Sequence, residues 1–364
     1  MRRELLEECR EAARRGLEFL YRTACDRAHF ELYGYDLLFC FNCIAANSSD
    51  PELRRAARRM GLERARRWRR EHSVVPRDGG PQTIAELVFG SDAADRLGLR
   101  APLLKSKIRR ATERFTARDY LWFDPLSEPL PDDAPEDCAC GADNPRGRKS
   151  CRQCRKTLMM LSRQGVWIDA LIRSYLGERY GVRLGASFAD VLRCRPTLLP
   201  YGDAERGANP EFYWTFYAVT HVVYTLNHYG LYRLSPRWLP EEFAFLKRNL
   251  DAAILLEDPE MMGEFLDSLK AFGLGDEHPL IRRGTKYLLS RQNADGSWGD
   301  AETEDIYQRY HPTFTAINGL REHDWRGQRL SFPKLKPLLA QWASERARPA
   351  PRQTKSREGL VPRN

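Results

Sequence analysis

Residues 292–300 read QNADGSWGD, and the fold follows from how this stretch joins the two helical patterns on either side of it. Asp295-Gly296 has turn chemistry, because an Asp side chain bonds backbone two residues on and glycine supplies a positive φ. Gln292 ends the pattern of residues 278–292, where it can bond carbonyls orphaned by the helix end, and Trp298 offers a ring large enough to hold that helix against the next hairpin. The helix before the turn is charged on one side. After it, residues 307–320 read YQRYHPTFTAINGL, aromatic or apolar nearly all round, which is the pattern of a helix buried on most sides.

The same alternation extends in both directions along the chain. One-sided helices are predicted near 3–23, 51–70, 101–117, 187–194, 236–256 and 278–292, because apolar residues recur there at spacings of three and four. Each is followed by a more apolar helix, near 29–46, 81–97, 158–180, 210–229, 259–272 and 307–321. That makes six helical hairpins. The first and last units are alike in wording, ARRGLEFL at 13–20 and IRRGTKYL at 281–288. A repeat of roughly 50 residues with one-sided outer and all-round inner helices predicts an all-α closed double ring, an α/α toroid over residues 1–345, since no polar caps mark an open solenoid.

Composition limits the alternatives. In 364 residues, 42% hydrophobic and 11% aromatic content supports a sizeable core and excludes general disorder. No membrane span and no signal-peptide core are legible, so a cytoplasmic location is expected. The net charge of +9 is local: residues 51–70 hold nine Arg against two Glu, and residues 343–364 hold six Arg or Lys against two Glu. No nucleic-acid-binding module accompanies that charge, and no nucleic-acid partner is expected. The Arg-rich helix reads as a solvated outer face. Residues 346–364 read as a disordered tail, whose LVPR at 360–363 resembles a thrombin recognition sequence and is excluded from the fold.

Gln292 with Gly296 and Trp298 resembles the QW motif of squalene and diterpene cyclases. The continuation from Tyr307 through His311 to Leu320 is similar to the inner-helix opening that follows this turn in cyclases and in protein prenyltransferase β subunits. The resemblance implies the α/α toroid of the terpene cyclase and protein prenyltransferase superfamily. Its close part covers about 40 residues, and the hairpin pattern extends it over most of the chain. The Asp-x-Asp-Asp acid of class II cyclases is absent, and Pro131-Asp-Asp-Ala lies in a Pro-rich loop. Prenyltransferases hold zinc with Asp-x-Cys and a His on consecutive inner helices. Here His311 matches the His, whereas Asp258-Pro-Glu260 stands where the family has Asp-x-Cys. Oxygen in place of the thiolate favours iron or manganese, or a differently tuned zinc.

The candidate catalytic residues are therefore His311, His221, Glu264, Glu260 and Asp258. His221 with His311 and one of Glu260 or Glu264 would make a two-His, one-carboxylate site for a second metal, Fe, Mn or Zn. His221 and His228 are seven apart, on one face and about 10 Å along a helix, too far to share an ion easily. Asp36 and Asp169, on inner helices, would serve a metal-free version as general acids if unpaired. Tyr213, Trp214, Tyr217, His228 and Tyr307 are candidate substrate-binding residues, offering ring faces to an apolar or cationic ligand.

Cys138, Cys140, Cys151 and Cys154 form two tight pairs with turn-forming residues between them. The pattern resembles a zinc ribbon and predicts a structural Zn, as an insertion over residues 133–157. The remaining five cysteines lie in apolar helical patterns as reduced thiols. The leading expectation is an enzyme acting on a small apolar or isoprenoid-like, hydrophobic substrate in the central cavity, by metal-assisted or acid/base chemistry. The alternative is a non-catalytic toroid that binds a hydrophobic ligand or peptide. A protein partner would dock through the zinc ribbon or the Arg-rich helix.

Overall fold

The structure, a computed structural model, describes residues 3–204, apart from 137, 139, 141, 143, 145 and 146, and residues 210–346. The tail at 347–364 lies outside the described residues. Among those residues the chain is all-α, with a single two-stranded sheet.

The helices are α1 (Arg3–Cys25), α2 (Arg27–Asn47), α3 (Pro51–Glu71), α4 (Pro81–Leu97), α5 (Pro102–Thr112), α6 (Ala117–Leu121), α7 (Arg163–Tyr180), α8 (Phe188–Leu192), α9 (Pro210–Leu226), α10 (Pro240–Leu255), α11 (Pro259–Ala271), α12 (Pro279–Ser290), α13 (Tyr307–Leu320) and α14 (Lys336–Arg346). Seven of them open on Pro, whose fixed φ suits the first helical position and whose missing N–H costs nothing there. Gly98 and Gly181 close α4 and α7 in the left-handed conformation. The helix expected over 101–117 is instead two, because Thr116 and Asp119 form a capping box that starts α6 afresh. Residues at the front of the pattern expected from 158 form β2 (Met160–Ser162), antiparallel to β1 (Asp133–Pro135). That strand pair flanks the cysteine-bearing segment.

The contacts between helices follow a closed cycle. α2 packs on α4, α4 on α7, α7 on α9, α9 on α11 and α11 on α13. α13 returns to α2 through the Tyr310 hydroxyl, which donates to Asp36 at 2.9 Å, and through the Phe39–Phe314 ring pair. Around these six lie α1 on α2 and α13, α3 on α2 and α4, α5 on α4, α6 on α4 and α7, α8 on α7, α10 on α9 and α11, and α12 on α11 and α13. The hydrophobic core is continuous through both sets.

Residues 292–300 join the ends of the cycle. Gln292 Nε2 donates to the Ala12 carbonyl of α1 at 2.9 Å and to the Gly296 carbonyl at 3.0 Å. Trp298 is fully buried, its indole N–H donating to the Leu288 carbonyl of α12 at 2.8 Å. Its ring lies against Gly16 of α1, where an added Cβ would meet it at 2.9 Å. The helix that Trp298 holds is therefore the first helix of the chain, met by the last hairpin. Gly296 has φ +90° and passes so close to the Arg15 carbonyl that a Cβ would sit 2.6 Å from it, so both its freedom and its size are used.

Candidate functional site

All six helices of the inner cycle contribute to one cavity of about 410 Å³, whose wall is largely aromatic: Tyr35, Phe39, Tyr224, Tyr307, Tyr310 and Phe314 are among its residues. Two of its helices carry local irregularities. Tyr33 interrupts α2 with φ −121° and ψ 15°, and Tyr35 and Asp36, just after this kink, line the cavity. Pro312 in α13 frees the Gln308 carbonyl, which packs against Gly299, where a Cβ would lie 2.3 Å from that oxygen.

α11 and α13 approach through glycine. A Cβ on Gly263 would stand 2.5 Å from the Thr315 carbonyl carbon, and one on Gly319 would stand 2.9 Å from the Gly263 carbonyl oxygen. This closeness brings Glu260 and Glu264, on either side of Gly263, to His311. One ligand atom from each of Glu260, Glu264 and His311 lies within 4.8 Å of the others, so the three could hold a metal ion. His311 Nδ1 is 3.2 Å from a Glu260 oxygen, yet this buried nitrogen makes no aligned hydrogen bond among the described residues. Tyr217 donates to Glu260 at 2.9 Å and Thr220 donates to Glu264.

Charge is divided unequally over this cluster. Burial opposes the His311 charge, but Glu260, Asp36 and Glu264 outweigh it and lift its pKa to about 9. Burial also works against the Glu260 carboxylate, yet His311 and Tyr217 hold it below the usual range. Glu264 is pushed up to about 8 by burial and then by Glu260. Asp36 is raised by burial. His221 Nδ1 faces the Tyr217 carbonyl at 2.8 Å, so it carries the proton and leaves the other ring nitrogen with a lone pair. Burial lowers its pKa to about 4.

His221, Glu264, His311 and Tyr307 thus line the cavity. The convergent set takes both glutamates with His311, and His221 stands outside it. Asp258 is the N-cap of α11, accepting from the Met261 N–H at 2.9 Å, and lines a separate surface pocket with Glu260 and Tyr307. Burial raises its pKa to about 6. Trp214 packs against Gly165 of α7, and neither it nor Tyr213 is among the cavity residues. Tyr217 reaches the site through Glu260. The expected shared face of His221 and His228 is a correction: α9 ends at Leu226, and His228 and Tyr229 have φ +60° and +51°. His228 lines another cavity, its Nδ1 3.0 Å from the Tyr175 hydroxyl. Asp169 is paired with Arg173 at 2.9 Å, as a structural carboxylate would be. Tyr310 and Asp267, also in the lining, carry no motif that would single them out.

The second cluster is formed by Cys138, Cys140, Cys151 and Cys154, all free thiols that could hold a metal ion. Sγ–Sγ separations of 3.5 Å link Cys138 to Cys154 and Cys140, and Cys140 to Cys151. This is far beyond a disulfide bond of about 2.05 Å. It is close to the edge of a tetrahedron with bonds of about 2.3 Å. Asn144 Nδ2 and the Gln153 N–H point at Cys151 Sγ, at 3.6 and 3.4 Å. Backbone N–H groups, Cys154's foremost, lower the Cys151 thiol and so favour the thiolate, the form that binds metal. The cysteine-bearing segment adjoins the central cavity, since Glu136, next to β1, is one of the cavity's lining residues.

Among the described residues no helix is long and apolar enough to cross a membrane. The chain matches no family model, and no curated protein or solved structure is similar to it at a significant level.

Proposed function

We propose that the chain is an enzyme of the α/α-toroid type that takes a small apolar or isoprenoid-like substrate into the aromatic central cavity and acts on it with a metal held by Glu260, Glu264 and His311. The carrying observation is the convergence of three buried donors on the wall of a cavity whose volume falls within the ~300–1,000 Å³ of small-molecule sites. The cyclic helix order and the turn at 292–300 support the toroid reading. Two carboxylates and one imidazole without sulfur suit iron, manganese or zinc, and leave coordination positions open to water or substrate. The four cysteines, by contrast, leave none open, and zinc there is structural.

Without a metal the same residues form an acid/base set, favoured by the opposed proton affinities of Glu260 and Glu264: one carboxylate ionised beside His311, the other a protonated donor. Elemental analysis separates the two versions. Wild type should carry two metals per chain, and Glu264→Gln and His311→Ala should each carry one, with the thermal midpoint recorded to verify folding. One metal in all three proteins would overturn the metal version and leave the acid/base set.

A further inference from the structure

We infer that the cavity at the far end of the inner helices is a binding site for a phosphate- or diphosphate-bearing small molecule. This cavity, of about 840 Å³, is formed by the last turns of α2, α4 and α7 and the segment after α9. It shares only Cys43 and Tyr229 with the central cavity, and the inference does not depend on the metal reading. Its wall holds six cations, Arg58, Arg96, Arg100, Lys105, Arg179 and Arg326, against two carboxylates, Asp92 and Asp95, a formal +4.

The carboxylates are already committed. Asp92 pairs with both Arg96 and Arg179, and Asp95 pairs with Arg69 of α3, which lies outside the cavity wall. None of the other four cations forms a close ion pair among the described residues, and Lys105 acts on Asp95 only at longer range. Lys105 rests over the Tyr180 ring at 4.3 Å, and Arg326 donates to the Ala46 carbonyl at 3.3 Å. Arg58 and Arg100 are exposed and make no hydrogen bond or ion pair among the described residues.

Like charges gathered around one concavity focus a positive field that draws anions in, and a multivalent anion gains most from it. A monoanion would leave most of +4 uncompensated, whereas a diphosphate supplies several charges and acceptors matched to guanidinium forks. The volume leaves room for an organic group beside the anion, against Ala45, Leu97, Pro102 and Leu231. The competing account is that the cations merely offset the negative ends of the helix dipoles.

Calorimetric titration at physiological salt with inorganic pyrophosphate, and in parallel with a monoalkyl diphosphate, distinguishes these. Wild type should bind pyrophosphate, and Arg58→Ser/Arg100→Ser should weaken it by about tenfold or more, the effect of removing charge-assisted contacts. Arg55→Ser/Arg59→Ser, on the same helix but outside the cavity, should bind within about twofold of wild type. Tighter binding of the ester would identify the ligand as an organic diphosphate, and equal binding would identify the inorganic anion. No binding of either by folded wild type, or equal loss in both double variants, would overturn the inference.

Discussion

Two cavities that meet at Cys43 and Tyr229 treat a histidine in opposite ways. In the central one, Glu260, Asp36 and Glu264 overcome the cost of burial and raise His311 to about 9, so with no metal bound its charged form is favoured at neutral pH. In the other, burial is reinforced by Arg179, Arg96 and Arg326, and His228 falls to about 3, so it is neutral. The two rings share a residue type and a packed helical setting. What differs is which charges the surrounding helices bring to their inward ends, and that is set by side chains far apart in sequence.

The largest expected effect lies in the basic cavity. The Asp92 side chain is 4% exposed and serves two arginines, one of which, Arg179, has a side chain only 3% exposed and an Nε without a hydrogen-bond partner among the described residues. Asp92→Ala should leave that guanidinium buried and uncompensated and cost about 3–5 kcal/mol in urea unfolding. Asp92→Ala/Arg179→Met should recover most of the loss, because no buried charge remains. A single-variant loss below about 1 kcal/mol would remove buried pairing as the basis of this cavity.

Gly263→Ala addresses the other side of the comparison. A methyl group there would meet Thr315 backbone atoms at 2.5 and 2.6 Å, so α11 and α13 must separate. Overpacking of this kind costs about 1–3 kcal/mol. It should also draw Glu260 and Glu264 away from His311, so the second metal should be lost while the cysteine-bound one stays. Retention of both metals would show that the glycine contact does not set the cluster's geometry.

Much of the architecture was legible because it is locally written. Helix starts follow from Pro at the first turn, and the all-α class follows from the apolar periodicity, whereas the break of the 101–117 pattern into α5 and α6, the strand at 160–162 and the last helix α14 do not. The cysteine cluster is spelled by spacing alone. The rest depends on chain paths that periodicity does not encode. A carboxylate that caps a helix, as Asp258 does, has the same sequence signature as one that could bind a metal, as Glu260 does. On α9, apolar nearly all round, no pattern separates Tyr213 and Trp214 from His221. The basic cavity draws on the Arg-rich α3, which reads as a solvated face. Arg58 belongs to that cavity, while Arg64 and Arg67 lie over the Tyr21 and Phe30 rings. Only the tertiary path puts Arg58 beside Arg100 and Arg326.

The smallest effect, and the most specific, concerns His228. A histidine of ordinary pKa 6.5 lowered to about 3 on folding stays neutral in the native chain while the unfolded chain takes up a proton below 6.5. Between those values the unfolded state binds more protons, so this ring contributes stability that is present above pH 6.5 and lost as the pH falls towards 3. His228→Gln keeps an acceptor for the Tyr175 hydroxyl and removes the titration. Its urea midpoint should differ little from wild type at pH 7, and the drop between pH 7 and pH 4.5 should be smaller than in wild type. An undiminished drop would mean that the ring is not held neutral by burial and the arginines, and the opposition between the two cavities would lose its clearest sign.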